Sequence, residues 1–355
     1  MTTIQTGVLT AATARIFTAA GICAVAAHQV AEALVEADAR GISSHGVLLV
    51  PMYVDRLLAG SVGNHTEADL VLDAGAVAVL DAGHALGILT ADQAMRLAVT
   101  KAAALGIGVV SVRRAFHFGG AFRYVQAAMA AGQIGIAAAN TRPLMPAPGG
   151  ASAVLGNNPI AIGVPGPDPV LVDMALSEAA LGKIRLAESE GRAIPPTWAT
   201  DRDGLPTTDP VAALAGLLLP AGGPKGYGLA LVIDVLTGVL SGGSFGAGVK
   251  GLYADPAVPN DCAHLFLALD PEAFGAADLP ERTARLAREV RDSRLAPGVD
   301  RVLLPGEREA AAARIAHRDG VRVPESVLTA LADTARRVGA QLPAELNGDN
   351  GKGQR

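Results

Sequence analysis

The sequence predicts an α/β fold, and three observations carry that expectation. Short β-branched runs alternate with helical periodicity between residues 70 and 140. Half of the 355 residues are apolar, enough for a large core. The one Gly-x-Gly-x-x-Gly string, Gly246 to Gly251, follows a helical stretch and leads into Tyr253-Ala254-Asp255-Pro256. It therefore cannot cradle a phosphate at a helix start, and a doubly wound dinucleotide-binding domain finds no support.

Each element follows from its local pattern. From about Leu9 to Asp38, Ala and Val recur at three-to-four spacing, a helical period. A polar break, Arg40 to Gly46, separates this helix from a second one at Pro51 to Leu58. Val71-Leu72 and Val77 to Leu80, each followed by an Asp-Ala-Gly turn, read as strands. Next come a helix at Ile88 to Leu105, a strand at Ile107 to Val112, a helix at Phe122 to Ala131 and a strand at Ile134 to Ala138. Asn140 to Asp173 holds seven prolines and five glycines, so it reads as loop laid over a strand framework. Gly191 to Pro210 is turn-rich, Lys225 to Ser241 is helical, and Pro280 to Leu342 is helical with exposed Arg and Glu.

Composition excludes several partner classes. With a net charge of −5 and 29 scattered Lys and Arg, no basic stripe exists to neutralise nucleic acid. The two cysteines, Cys23 and Cys262, lack metal-ligand or disulfide spacing, so no metal is expected and a reducing cytoplasm fits. Ile16 to Ala27 imitates a signal peptide, but only Arg15 precedes it and the helical pattern runs on through Val30, Leu34 and Val35. No apolar stretch reaches the ~18 to 20 residues that span a bilayer. Leu229 to Leu240, interrupted by Asp234, is expected to be a buried helix.

Polar residues in places where a core has no use for them mark the candidate site. Ser44-His45 stands between two apolar helices, with Gly46 allowing a tight turn toward a cleft; a capping pair is the bland alternative. His117 lies in Phe116-His117-Phe118-Gly119-Gly120, where the glycines let a ligand approach and the next helix start could receive phosphate. Asn140 closes a strand, Asn157 and Asn158 sit in a Gly-Asn-Asn-Pro loop, and Lys225 opens a helix after Gly222-Gly223-Pro224. Gly242-Gly243-Ser244-Phe245-Gly246 spells the Gly-x-Ser-x-Gly string of a hydrolase nucleophile. No strand precedes it to build the elbow.

In this order these elements resemble the malate/L-lactate dehydrogenase family of type 2, which also includes sulfolactate, ureidoglycolate and diketogulonate dehydrogenases and Δ1-piperideine-2-carboxylate reductase. The resemblance runs from about Ala37 to Gly339. Its landmarks are Ala37-Asp38 to Gly46, Val112 to Gly119, Gly156 to Pro159, Val172 to Ala175, Trp198 to Pro210, Gly222 to Gly228 and Leu304 to Arg308. It implies a non-Rossmann α/β domain with a mixed sheet, residues 69–275, beside a helical domain from both chain ends, residues 1–68 and 276–345. A disordered tail, 346–355, and a homodimer are further expectations.

The resemblance also implies roles. The serine and histidine matching Ser44 and His45 form a proton relay, with the histidine as donor; His117 and Lys183 complete the catalytic candidates, His117 mainly shaping the cofactor site. NAD(H) or NADP(H) would be held by His117, Phe118, Gly119, Gly120 and Ala121, by Val172, Asp173 and Met174, by Lys225 and Gly226, and by Leu304, Pro305, Gly306, Glu307 and Arg308. A histidine titrating near neutrality suits proton donation to a forming alkoxide. The amides of Asn140 and Asn157 suit a substrate carbonyl or carboxylate.

Departures are as informative. The arginine usual four residues after the relay histidine is Leu49, the Asn-Ser before the second histidine is Arg114-Ala115, the threonine before Asn158 is Asn157, and the aspartate completing the reductase relay is matched by Lys183. Arg114 and Arg142 are candidates for the missing carboxylate clamp. The expected activity is hydride transfer between a nicotinamide and a small α-oxo or α-hydroxy acid in a rebuilt pocket. Reduction of a cyclic or N-alkyl imine acid and a catalytically silent relative are the alternatives.

Overall fold

The computed structural model describes residues 1–346. A seven-stranded mixed sheet forms its centre. The strands are β2 (Asp69–Ala74), β3 (Val77–Asp81), β4 (Ile107–Ala115), β5 (Ile134–Ala139), β6 (Ile160–Val164), β7 (Val170–Met174) and β8 (Cys262–Leu269). In space they run β2-β3-β4-β8-β5-β6-β7, and only β3 and β4 pair in parallel. Placing β8 between β4 and β5 breaks the run of parallel strands that a Rossmann sheet needs, so the non-Rossmann expectation holds. Two strands, β6 and β7, lie inside the Pro- and Gly-rich stretch read as loop over a strand framework.

Helices α4 (Gly87–Leu105) and α5 (Phe122–Ala130) bury Ala91, Ala94, Met95, Ala98, Tyr124 and Val125 in one core with Val110, Val112 and Phe266 of the sheet. Small residues dominate this layer, which brings helix and strand backbones close.

A second core joins the two ends of the chain. Helices α1 (Thr6–Ala19), α2 (Ala24–Ala39) and α3 (Val50–Ala59) bury Leu9, Phe17, Leu34 and Tyr53 with Leu328, Leu331 and Ala335 of α11 (Glu325–Val338). The short strand β1 (Thr2–Ile4) pairs antiparallel with β9 (Val321–Val323) and fastens the ends together. The long first helix of the sequence reading is two helices, because the chain turns at Ala20 to Cys23. Leu346 is buried in this core; the rest of the expected tail lies outside the described residues.

A third core gathers α6 (Leu181–Ser189), α7 (Pro210–Ala215) and α8 (Pro224–Asp234), the last continuing as one π-helical turn at Val235–Val239. Here the expectation of a buried helix fails. Leu229, Leu231, Val232, Val235, Leu236, Val239 and Leu240 are all exposed, while Asp234 is buried and hydrogen-bonded to Asn140. Helices α9 (Leu279–Arg291) and α10 (Glu307–Asp319), with a long loop between them, lead into β9 and α11.

Candidate active site

A cavity of about 960 Å³ opens where the three cores meet. Its wall includes Ser44, His45, Leu49, His117 to Ala121, Asn140, Arg142, Asn157, Val172 to Met174, Leu304 to Gly306 and Arg308. Most of the residues singled out in the sequence therefore converge on one space, of the size small-molecule and cofactor sites occupy.

The turn carrying Ser44 and His45 is held by Asp38. Its carboxylate accepts a hydrogen bond from the Val47 amide at 2.7 Å and lies so close to Gly46 that a Cβ there would sit 2.1 Å from Oδ1. Burial lifts the Asp38 pKa from 3.8 to about 6, opposed by the hydrogen bonds from Val47 and Ser43. Ser44 Oγ lies 2.9 Å from His45 Nδ1. Desolvation lowers the His45 pKa from its ordinary 6.5.

His117 reaches the cavity because β4 ends in an irregular register between Val112 and Ala115, with Arg114 at φ +47°. Its ring stacks on that of His45, centroids 5.4 Å apart. Its Nδ1 is 2.7 Å from the hydroxyl of Tyr53. Burial, then the neighbouring His45 and His264, push the His117 pKa well below 6.5, so this imidazole is neutral at physiological pH. Burial raises the Tyr53 phenol far above its ordinary range, so it stays protonated and can donate.

Cys262 and His264, two apart on β8 and so on one face of the strand, close the wall behind His117. The thiol lies 3.4 Å from His264 Nε2 and His264 Nδ1 has no partner. Burial lowers His264 to about 3 and raises Cys262, so neither carries charge. Tyr53, Cys262, His264 and Arg185 are site residues that sequence reasoning missed. The signal for Tyr53 was weak: a lone tyrosine inside the second apolar helix, eight residues after His45.

At the other end of the cavity Asp173 lies at the start of α5, where its carboxylate accepts the Phe122 amide at 2.8 Å. That helix start is already filled by a carboxylate, which corrects the expectation that it receives phosphate. Burial raises the Asp173 pKa from 3.8 to about 6. Gly306, at φ +88°, packs against Leu171 so tightly that a Cβ would lie 2.9 Å from its carbonyl oxygen, and Leu171 donates back to Pro305 O at 3.0 Å. The 304–306 turn is thereby stitched to β7.

Several expected residues do something else. Asn140 lines the cavity, but its Oδ1 accepts Ala263 N–H at 2.7 Å and its Nδ2 donates to Asp234 and to Ser244 O, both at 2.9 Å, so its amide is already spent on structure. Asn157 keeps its NH₂ for the cavity, its oxygen accepting from Thr141 at 2.9 Å. Arg114 is absent from the cavity wall and pairs with Asp81 at 2.6 Å. Lys183 and Lys225 are exposed and also absent from the wall; Ser44 is bonded to His45, not to Lys183. Gly226 is buried in α8, away from the wall. Glu307 faces outward to an ion pair with Arg291 and accepts the Leu304 amide at 3.0 Å, which supports the turn without lining the site. Ser244 donates to Asp261 at 2.5 Å with no histidine between them, so the Gly-x-Ser-x-Gly string builds no hydrolytic triad. Among the described residues no cluster of three or more metal-ligating side chains occurs.

Fold and cavity together define an α/β protein with a non-Rossmann sheet and one large small-molecule site. The profile of the malate/L-lactate dehydrogenase family matches residues 4–332. The structure superposes on sulfolactate dehydrogenase from Methanocaldococcus jannaschii with a TM-score of 0.91 at 35% identity, covering 96% of this chain and 98% of that one. Malate dehydrogenase of Pyrococcus horikoshii is 36% identical over 92% of this chain and 93% of its own. The NAD(+)-dependent ureidoglycolate dehydrogenase of Escherichia coli K12 is 38% identical over 87% and 88%. The chain belongs to the malate/L-lactate dehydrogenase family. The expectation of a dehydrogenase that uses a nicotinamide cofactor holds.

Proposed function

We propose that the protein interconverts a small α-hydroxy acid and its α-oxo acid with NAD(H) or NADP(H), His45 donating or accepting the proton. The stacked pair His45 and His117 carries this reading. His117 is the more strongly depressed of the two and stays neutral, whereas His45, hydrogen-bonded to Ser44, is the ring that can cycle. With Tyr53 donating to Nδ1, His117 keeps its own proton on Nε2, fit to hold a carbonyl or alkoxide oxygen.

The cofactor fits the strip of wall formed by Phe118 to Ala121, Val172 to Met174 and Leu304 to Gly306, which is mostly backbone and apolar side chain. When bound, the nicotinamide supplies or takes the hydride. Leu49, buried in the cavity wall, presents only hydrocarbon where the family resemblance implies an arginine, and leaves the acid to other cations. The exposed apolar face of α8 and its π-turn supports a homodimer, since monomers rarely leave so many aliphatic side chains contiguous in water. Two free cysteines fit a reducing cytoplasm, and no described helix is long and apolar enough to cross a membrane.

The test is cofactor binding and turnover. A reduced nicotinamide cofactor is expected to raise the melting temperature and to be oxidised with one or more acids of an α-oxo panel. Absence of both effects would favour a silent relative.

A further inference from the structure

We propose that Arg56 is a positioning residue for substrate: from inside the helical core it holds the 250–260 loop as one wall of the site and so sets the Tyr253 hydroxyl against an oxygen of the bound acid. This rests on the dehydrogenase reading above.

Arg56 on α3 is 1% exposed, and among the described residues no carboxylate forms an ion pair with it; Asp255 of the loop favours its charge from farther off. A buried charge without a paired counter-ion is costly unless dipoles surround it. Here the dipoles come from one loop. Nε donates to Leu252 O at 3.0 Å, Nη1 to Val258 O at 2.8 Å and Nη2 to Gly251 O at 2.9 Å, with Ser61 Oγ a longer fourth acceptor at 3.4 Å. The segment between Gly248 and Cys262 is loop, so these carbonyls depend on the guanidinium for a partner. The base of the loop is closed without Arg56: Lys250 N–H donates to Asn260 O at 2.8 Å, and Asn260 Nδ2 donates back to Lys250 O. What Arg56 adds is the lean of the loop against the helical core, where half-buried Leu252 packs.

That lean decides what faces the cavity, because Lys250, Leu252, Tyr253 and Asn260 all line it. The loop stands at the histidine end. Arg56 lies 5.8 Å from the ring centroid of Phe116, the neighbour of His117, and one turn along α3 from Tyr53, which bonds His117. Gly251 packs on the stem of Arg142, where a Cβ would lie 3.0 Å from Cδ, and Arg142 follows Thr141, the partner of Asn157. None of the loop belongs to the strip fitted to the cofactor. Tyr253 sits directly after the two residues whose carbonyls Arg56 holds, and among the described residues its hydroxyl makes no hydrogen bond. A clamped backbone with an unused phenol on a cavity wall offers a neutral donor to an acid's oxygen.

The experiment measures reduction of oxaloacetate, pyruvate and 2-oxobutyrate, and calorimetric binding of the non-reducible analogue oxamate to cofactor-loaded protein, for wild type, Tyr253→Phe, Arg56→Lys, Arg56→Gln and the double variant Arg56→Gln/Tyr253→Phe. Tyr253→Phe should raise KM and oxamate Kd by about 3- to 10-fold, with kcat within about twofold and the melting temperature unchanged. Arg56→Gln should raise both at least as far, and Arg56→Lys should recover part. Adding Tyr253→Phe to Arg56→Gln should raise KM no further, because the arginine acts through the tyrosine. Hydrogen exchange of the 250–260 segment, which needs no substrate, should quicken by about tenfold or more in Arg56→Gln while the central strands keep their protection. Should Arg56→Gln fail to fold, Arg56→Lys carries the same comparisons. Unchanged KM and oxamate Kd in Tyr253→Phe, additive effects in the double variant, or a raised cofactor Kd with acid binding intact would each overturn the proposal, the last assigning the wall to the cofactor. If no acid turns over and oxamate does not bind, the dehydrogenase reading falls and takes the tyrosine's role with it, while loop exchange unchanged by Arg56→Gln would separately overturn the arginine's hold.

Discussion

The Tyr53 hydroxyl stands 2.7 Å from Nδ1 of His117 in a part-buried contact between the helical core and the segment after β4. Tyr53→Phe removes that donor and leaves a buried ring nitrogen unpaired, which costs about 1–3 kcal/mol. Denaturant titration should show that loss, and turnover should fall by about tenfold or more as His117 loses its fixed tautomer. Unchanged kinetics would mean that the tyrosine only fills space.

His45→Ala should lower turnover by about 100- to 10,000-fold, as for a lost general acid, with cofactor affinity nearly unchanged. The check is steady-state kinetics beside fluorescence titration of the cofactor. An active His45→Ala beside a His117→Ala that binds cofactor but does no chemistry would reverse the two roles.

Gly46→Ala forces a methyl group onto the Asp38 carboxylate, 2.1 Å from Oδ1. The turn must shift, at a cost of about 1–3 kcal/mol, and the histidine moves with it. Adding Asp38→Ala to Gly46→Ala should then cost less than the two single changes combined, a non-additivity that denaturation of all three variants measures.

Asp38 and Asp173 both titrate near 6 in the folded protein against 3.8 for the free side chain. Between those values the native state holds protons that the unfolded chain has released. Their contribution to stability is therefore full below 3.8 and is lost as pH rises through about 6. Asp38→Asn should flatten the stability profile across that window by on the order of 2 kcal/mol. A profile as steep as that of wild type would place the titration elsewhere.

Val232→Glu places a charge in the exposed apolar face of α8, where the wild-type side chain is 51% exposed. Sedimentation should show a dimer for wild type and a monomer for the variant. A wild-type monomer at micromolar concentration would remove that reading of the face.

Much of the site was legible because its residues stand out against an apolar background. Ser44-His45-Gly46 interrupts two helices, and His117 sits among glycines and aromatics. What joins them was not legible. Tyr53 and His117 are 64 positions apart and Asn140 and Ala263 are 123 apart, and no local period reports such pairs. Asn140 looked available for chemistry because its partners come from β8, from the end of α8 and from the loop beyond it. The exposed helix at Leu229 to Leu240 misled for a related reason: an apolar helix reads the same whether a core of its own chain or a second surface covers it.

The pairing of Thr2–Ile4 with Val321–Val323 also bears on how the protein is made. Residues 6–59 emerge from the ribosome as three greasy helices whose partners Leu328, Leu331 and Ala335 follow only much later in the chain. Until then these helices have no complete core to enter, and the His45 turn stands on an unfinished scaffold. Nascent chains should consequently expose this surface for most of translation, a burden that falls on holding chaperones and grows with synthesis time rather than with the stability of the finished fold.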